Sequence, residues 1–142
     1  QFESAHKSKA ADADVVLLLV GEYAYAEWYG DTESMDLCGE LGLDGNKDAI
    51  DAVKALNKPT VTCILAGRQV IIDDYIDDWD ATVMCYLPGS EGKGVVDVLC
   101  GREDFSGTLP SPWYSDVSQI GTGERWLDVG YGLKYNEQQG AE

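Results

Sequence analysis

The chain has 142 residues, of which 26 are acidic and 10 are basic, and its formal net charge is −16. This length predicts a single domain over residues 1–142. The charge argues against a nucleic-acid partner or an anionic membrane surface, because no basic stripe exists to replace counterions. The longest apolar run, residues 15–20, is far shorter than the roughly 20 residues of a membrane span.

The sequence has neither a metal-ligand pattern nor a phosphate-binding motif, so we predict no metal site and no cofactor. The four cysteines form no C-x-x-C pair, and His6 is the one histidine of the sequence. The glycine-rich segments match neither phosphate-binding pattern, and no G-x-S-x-G segment offers a nucleophilic serine. Cys63 and Cys85 lie in apolar runs and are expected in the core.

The hydrophobic pattern alternates between strands and helices along the chain. Short continuous apolar runs are typical of strands buried on both faces of a parallel sheet, whereas apolar residues three or four apart indicate helices. We therefore predict a helix end in residues 2–11, strands over 15–20, 60–65 and 81–86, and helices over 46–56 and 89–99.

The remaining segments show no sustained hydrophobic periodicity. Residues 21–44 form a long stretch that we expect to be either functional or disordered. Residues 70–75 are compatible with a short helix or an irregular crossing, and residues 121–132 with loops and one short strand. Residues 138–142 are expected to be a frayed tail.

The order of the elements predicts an α/β fold, a three-layer α/β/α sandwich with a mostly parallel sheet. In such folds ligands bind beyond the carboxyl ends of the strands. The segments after residues 20, 65 and 86 are therefore the places to look for a functional site.

The segment after the first strand combines carboxylates with aromatic rings. It contains Glu22, Tyr25, Glu27, Trp28 and Asp31 within a few residues of the strand end. Sugar sites use this mixture, because aromatic faces stack on pyranose rings while carboxylates bind hydroxyls or transfer protons. The alternative is a solvated loop whose aromatic residues only pack.

Charged residues also follow the other two strands. Arg68 follows the second, where it can bind a carboxylate through its guanidinium fork or hold a loop in place; a structural ion pair is the favoured interpretation. Glu91 follows the third strand at the start of a predicted helix, where Ser90 and Glu91 are expected to cap that helix.

Several phrases together resemble family 3 glycoside hydrolases of the β-glucosidase type. Their order and spacing cover most of residues 12–135, and one phrase departs from the family in having Gln69 where proline is usual. The phrases are Val20-Gly21-Glu22, Tyr25-Ala26-Glu27, Gly30-Asp31, Lys58-Pro59-Thr60-Val61, Ala66-Gly67-Arg68-Gln69, Tyr86-Leu87-Pro88-Gly89-Ser90-Glu91-Gly92, Asp97-Val98-Leu99-Cys100-Gly101, Phe105-Ser106-Gly107-Thr108-Leu109-Pro110 and Val129-Gly130-Tyr131-Gly132-Leu133-Lys134-Tyr135.

The resemblance implies the C-terminal sandwich domain of a retaining enzyme whose nucleophile is an aspartate on a separate barrel domain. It also implies an acid/base glutamate on a loop of the sandwich domain, which would be Glu27; Glu22 is the competing candidate. Trp28, Asp31 and Tyr25 are then expected to contact the substrate, with Glu22, Arg68 and Glu91 supporting the site.

Two departures from the family pattern shape what we expect of this chain. The barrel is absent, and so is the usual first strand of the sandwich, which predicts a partial domain that is inactive by itself. Its expected partners are a β-linked oligosaccharide or glycoside and the barrel domain. If the apolar surface on which the barrel would dock is exposed, a homo-oligomer is a further expectation. The alternatives are a non-catalytic carbohydrate-binding domain and a purely structural one.

Overall fold

The computed structural model of the chain describes Ala10 and residues 12–135. The predicted helix end in residues 2–11, apart from Ala10, lies outside this range, as do His6 and the tail at 138–142. Within the described part the strands are β1 (Val16–Gly21), β2 (Thr60–Leu65) and β3 (Ala81–Met84), and the α-helices are α1 (Asn46–Lys54) and α2 (Gly92–Leu99). Short 3-10 helices cover Glu27–Gly30, Ile76–Asp78 and Val117–Gln119.

The three strands form one parallel sheet in the order β1-β2-β3. Leu19 of β1 pairs with Cys63 of β2, which in turn pairs with Val83 of β3. Since partners in a parallel ladder point to the same face, these three side chains share one face of the sheet. The carboxyl ends of all three strands meet at a single edge, where β1 ends with Gly21 opposite Leu65.

The two α-helices lie on opposite faces of this sheet. Ile50 and Val53 of α1 belong to the buried core together with Leu18, Val20 and Ile64, which point to one face. Val95, Val98 and Leu99 of α2 line a cavity of about 250 Å³ with Val83 and Cys85, on the other face. The predicted α/β sandwich is confirmed.

One part of the sheet is left uncovered by the described chain. Leu17 and Leu19 point away from α1 and are 49% and 59% exposed, although both are leucines in the middle of a strand. Cys63 on the same face of β2 is buried, whereas β1 is covered on the α1 side alone. The continuous apolar run correctly predicted the strand, but not that half of its side chains would face solvent.

Several predicted boundaries were wrong by a few residues. The third strand ends at Met84 rather than at 86, and α2 begins at Gly92 rather than at 89. Between them Tyr86 has φ = 54° and Gly89 has φ = 57°, so the backbone turns out of the extended conformation before the helix starts. Helix α1 ends at Lys54 rather than at 56, and β1 runs one residue later than predicted.

Two segments for which the prediction left alternatives open have the irregular one. Residues 70–75 form an irregular crossing without a helix, and the 3-10 turn follows them, at Ile76–Asp78. Residues 121–132 form loops, with an isolated antiparallel bridge between Leu127 and Trp113 in place of the short strand. In the part of the chain that the structure describes, no helix is long and apolar enough to cross a membrane.

The long segment after β1 is ordered by contacts that reach across the chain. Leu37 is fully buried, and its amide donates to the Ile71 carbonyl at 3.0 Å. The buried amide of Asn46 connects this segment to the strand: Nδ2 donates to the carbonyls of Gly21 and Leu37, both at 2.7 Å, and Oδ1 accepts from the Gly21 amide at 3.2 Å. The first residue of α1 therefore holds the end of β1 in place.

Replacing Asn46 should destabilise the fold well beyond the cost of an ordinary surface change. We expect Asn46→Ala to lower the free energy of unfolding by about 3 kcal/mol, because buried backbone groups at Gly21 and Leu37 lose their partner. Urea denaturation measures the effect. Asp48→Ala, an exposed change in the first turn of the same helix, is the control and should cost about 0.5 kcal/mol or less.

Asn46→Asp is a more specific test, because it keeps the shape of the side chain and replaces the Nδ2 donor with an oxygen. The introduced carboxylate would face two carbonyl oxygens, which raises its folded-state pKa above the unfolded value. A raised carboxyl pKa makes stability fall as pH rises through it, so the variant should lose more stability relative to the wild type at pH 7 than at pH 4. An equal loss at both pH values would contradict the assigned orientation of the amide.

Candidate functional site at the carboxyl edge of the sheet

Glu22, the first residue after β1, is held in a buried ion pair with Arg68, which follows β2. Its side chain is 2% exposed, and Oε1 accepts from Nη2 of Arg68 at 2.9 Å and from Nε at 3.2 Å. The pairing follows from the topology, because the ends of two adjacent parallel strands are neighbours. The structural ion pair favoured for Arg68 is present, with Glu22 as its partner.

Arg68 also connects the two ends of the loop that follows β1. Its Nη1 donates to the Gly30 carbonyl at 2.8 Å, while the same guanidinium binds Glu22 at the beginning of the loop. The guanidinium carbon lies 4.8 Å from the centre of the Tyr25 ring, a cation–π contact. One side chain therefore closes residues 22–30 into a compact loop.

Tyr25 lies beneath this loop rather than on its outer surface. Its hydroxyl donates to Oε2 of Glu22 at 2.8 Å, which occupies the second carboxylate oxygen. Burial, together with the hydrogen bond to Glu22, raises the pKa of the Tyr25 hydroxyl, which keeps the proton that it donates. A Cβ at Gly30 would lie 2.6 Å from the Tyr25 ring and one at Gly67 would lie 2.9 Å from its hydroxyl, so both glycines are needed for the ring to fit.

Glu27 stands on the outer side of the same loop, at the start of its 3-10 helix. It is exposed, and no described residue forms a hydrogen bond or ion pair with its carboxylate. Its φ of 51° is a conformation that residues other than glycine adopt rarely and at a cost of about 1 kcal/mol or more. The backbone at Glu27 is thus held in an unfavourable conformation, and its side chain is exposed.

Two aromatic residues and a second carboxylate accompany Glu27. Trp28 and Tyr29 are 66% and 70% exposed, and their ring centres are 5.5 Å apart with the planes tilted by 30°. Asp31 ends the 3-10 helix and is exposed, and its amide donates to the Trp28 carbonyl at 3.1 Å. The predicted residues Glu27, Trp28 and Asp31 therefore share one exposed loop, whereas Glu22, Tyr25 and Arg68 form the buried cluster below it.

Glu91 lies apart from both groups. It occupies the N-cap position of α2, but its side chain makes no capping hydrogen bond; it accepts from the Ser90 hydroxyl at 3.2 Å and is exposed. The predicted side-chain cap was wrong, because the Glu91 backbone is not extended as an N-cap normally is, with φ = −92° and ψ = 34°.

Gln69 is a supporting residue whose role the sequence did not reveal. Its buried amide donates to the Tyr86 hydroxyl at 2.9 Å and to the Ser111 carbonyl at 3.2 Å, and its Oε1 accepts from the Ser111 hydroxyl at 2.9 Å. It therefore links the segments after β2 and β3 to the loop at residue 111. The available signal was glutamine at a position where the resembled family usually has proline, because proline offers no side-chain donor.

A separate apolar cavity of about 560 Å³ runs along β3. Glu27 is not among its lining residues, and β2 lies between β3 and the strand that carries the loop. Aromatic side chains make up much of its wall: Trp79, Tyr86, Phe105, Trp113, Trp126 and Tyr131. Among the described residues, no cluster of three or more histidine, cysteine or acidic side chains is arranged to hold a metal ion.

Comparison with known proteins matches nearly the whole chain. The family model described as "Glycosyl hydrolase family 3 C-terminal domain" matches residues 1–139. The chain is 30% identical to a lysosomal beta glucosidase of Dictyostelium discoideum over 140 residues, which is 89% of this chain and 16% of the relative. It is 31% identical to a periplasmic beta-glucosidase of Salmonella typhimurium over 119 residues, 78% of this chain and 14% of that protein.

Solved structures show the same arrangement. An exo-1,3/1,4-beta-glucanase from a Pseudoalteromonas species has a TM-score of 0.74 at 34% identity, with 87% of this chain and 17% of that chain covered. A beta-glucosidase from Listeria innocua in complex with isofagomine has a TM-score of 0.77 at 24% identity, covers 94% of this chain and 22% of that chain, and supports the fold alone. The chain thus spans about one-sixth of the length of these curated relatives, and it belongs to the C-terminal domain family of the family 3 glycosyl hydrolases.

Proposed function

We propose that the chain acts as the C-terminal domain of a retaining β-glycosidase of the β-glucosidase type and that Glu27 is its acid/base residue. The observation that carries the proposal is the different environment of the two candidate carboxylates. Glu22 is occupied by Arg68 and Tyr25 in a buried cluster, whereas Glu27 is presented on the outside of the loop with no partner among the described residues. A group that must give and take protons has to reach the substrate.

The proposed reaction needs a second carboxylate from the barrel domain implied by the family resemblance. In the first step the barrel aspartate attacks the anomeric carbon while Glu27 protonates the departing oxygen. In the second step Glu27, now ionised, removes a proton from the water that hydrolyses the glycosyl ester. Such a pair works at a carboxyl separation of about 5–5.5 Å, which requires the barrel to face the exposed loop.

The names and lengths of the relatives support this division of labour. The matched relatives are named as beta-glucosidases or an exo-beta-glucanase, and this chain accounts for about one-sixth of their length. Docking of a barrel against the loop would remove water from Glu27 and create the apolar environment that a general acid requires. The exposed carboxyl edge, with Trp28, Tyr29 and Leu87, offers apolar surface for such contacts.

The other residues of the site take roles that follow from their positions. We assign Trp28 to stacking on a sugar ring and Asp31 to binding hydroxyl groups, since both are exposed beside Glu27. Tyr25 supports the site from beneath, because its hydroxyl is already committed to Glu22. Glu22 and Arg68 set the shape of the loop, whereas Glu91 is exposed, has Ser90 as its hydrogen-bond partner and contacts neither of them.

The purified chain alone should not hydrolyse 4-nitrophenyl β-glucoside, because the nucleophile is on another domain. The measurement is release of 4-nitrophenol over hours at high protein concentration. Turnover that disappears on Glu27→Gln would contradict the expectation that this chain supplies one half of the catalytic pair.

Glu27→Gln, made in the polypeptide that carries this chain together with its barrel, should lower kcat on an alkyl β-glucoside by about 10²- to 10⁴-fold, since proton transfer in the transition state contributes that much. The loss should be much smaller for 2,4-dinitrophenyl β-glucoside, whose leaving group needs no protonation. Glu33→Gln, an exposed change on the same segment, is the matched control. Unchanged kcat in Glu27→Gln would favour the alternative of a non-catalytic carbohydrate-binding or structural domain.

Arg68→Met should destabilise the chain by about 3 kcal/mol, because it leaves Glu22 buried without its counter-charge. Adding Glu22→Gln should recover part of that loss, since the uncompensated charge is then removed. Urea denaturation of the two single variants and the double variant measures the coupling. If the two losses simply added, the ion pair would not be what holds the loop together.

A further inference from the structure

The cavity of about 560 Å³ along β3 is a concave apolar surface that the proposed reaction does not use. Sites for small molecules typically have volumes of about 300–1,000 Å³ and walls that are mostly apolar and aromatic, and this cavity fits both criteria. Its lining residues, all of them in the described part of the chain, do not include Glu27 or the neighbouring Trp28 and Tyr29. The cavity is therefore separate from the candidate acid/base site.

The part of the wall that follows α2 in the chain is held in place by its own contacts. The Leu109 amide donates to the Tyr131 carbonyl at 2.8 Å, and the Trp113 amide donates to the Leu127 carbonyl at 2.9 Å. The rings of Trp113 and Trp126 meet edge to face, with their centres 5.5 Å apart. Because these rings are positioned before a ligand arrives, binding would cost little side-chain ordering.

The free edge of β3 adds backbone hydrogen-bonding groups to the wall. Within the described sheet β3 has β2 as its single neighbour, and the Cys85 amide donates to the Ile64 carbonyl of β2 at 2.9 Å. The peptide groups of Thr82 and Met84 alternate with that of Cys85 and so point to the other edge. Both residues line the cavity. An edge of this kind offers donors and acceptors to a polar group on the rim of a flat ligand.

The polar side chains of the wall favour an uncharged ligand. Among the described lining residues there is one acid, Asp80, whose Oδ2 accepts from the Thr60 amide at 2.8 Å, and there is no lysine, arginine or histidine. An anion would therefore lose its hydration without gaining a counter-charge, in a chain of net charge −16.

The same wall is poorly suited to a carbohydrate, whose many hydroxyls need many partners. The indole N–H of Trp113 is already used, since it donates to the Val70 carbonyl at 2.8 Å. The Tyr86 hydroxyl accepts from the Gln69 amide at 2.9 Å. Few side-chain groups are then left for a sugar, whereas the aromatic faces suit another aromatic ring.

We propose that the cavity along β3 is a binding site for an uncharged, planar aromatic compound of about two rings. Its rings pack against the side chains of Trp79, Trp113 and Trp126, and a polar group on its rim binds the free edge of β3. None of these residues belongs to the loop that carries Glu27, so the site is independent of the acid/base role.

The test compares two dyes that share one ring system. N-phenyl-1-naphthylamine is uncharged, whereas 1-anilinonaphthalene-8-sulfonate carries a sulfonate, and the fluorescence of each is followed during titration with the full polypeptide that contains this chain. The uncharged dye should show a saturable rise in fluorescence, and the sulfonate should bind at least about tenfold more weakly. An excess of glucose should not displace the uncharged dye.

Variants locate the binding in the cavity. Trp126→Ala should weaken binding of the uncharged dye about tenfold, and Trp126→Phe should retain most of it. Leu133→Lys places a cation in the wall and should tighten binding of the sulfonate while weakening that of the uncharged dye. Leu19→Ala removes exposed apolar surface on β1, outside the cavity, and should change neither affinity.

Three results would overturn the proposal: equal affinity for the two dyes, displacement of the uncharged dye by glucose, or undiminished binding of that dye in Trp126→Ala. Trp126 is 42% exposed and Leu133 is 46% exposed, so both variants should keep a urea midpoint close to that of the wild type. If Trp126→Ala lowers the midpoint, Leu133→Lys decides, and a sulfonate affinity that does not rise in that variant counts against the site.

Discussion

The ion pair between Glu22 and Arg68 is the interaction on which the candidate site depends. Burying a carboxylate is costly unless its charge is matched and its oxygens are hydrogen-bonded. Here Arg68 and the Tyr25 hydroxyl occupy both oxygens of Glu22, and the same arginine holds the Gly30 carbonyl. The parallel sheet makes the pairing possible, because it places the residues after β1 and β2 side by side. The unfavourable φ of Glu27 is then offset by contacts lower in the loop rather than by contacts of Glu27 itself.

The parts of the fold that follow from local pattern could be predicted from the sequence. The apolar runs located all three strands, because a strand inside a parallel sheet is read as a continuous hydrophobic segment. The end of β3 was missed, since the apolar run continues through Cys85 and Tyr86 while the backbone already turns at Tyr86 with φ = 54°. The start of α2 was missed for the related reason that Gly89 extends the same turn. Periodicity reports which side chains are apolar, not where the backbone leaves the extended region.

The supporting residues of the site depend on contacts between distant segments, which local pattern does not contain. Asn46 was expected only as the start of a helix, yet its amide bonds Gly21 and Leu37 at once. Gln69 stood out as a departure from the usual proline, and the structure shows its partners to be Tyr86 and Ser111, 17 and 42 residues away. The sequence favoured a structural ion pair for Arg68 without fixing which carboxylate is its partner. Its selection depends on the strand order β1-β2, which brings residues 46 apart in sequence into contact.

The uncovered face of β1 explains why these polar contacts matter so much for the site. Leu18 and Val20 bury one side of the strand, whereas Leu17 and Leu19 remain largely exposed, so packing secures β1 from one face within the described chain. The strand also has β2 as its single neighbour in the described sheet. The position of its carboxyl end therefore depends strongly on the Asn46 amide and on the ion pair just beyond it. A loop attached to a half-covered edge strand would otherwise be free to move, and a displacement of about 1 Å would impair the acid/base role that we propose for Glu27. The polar contacts at this edge thus fix the position of Glu27, whereas hydrophobic burial holds the rest of the sheet in place.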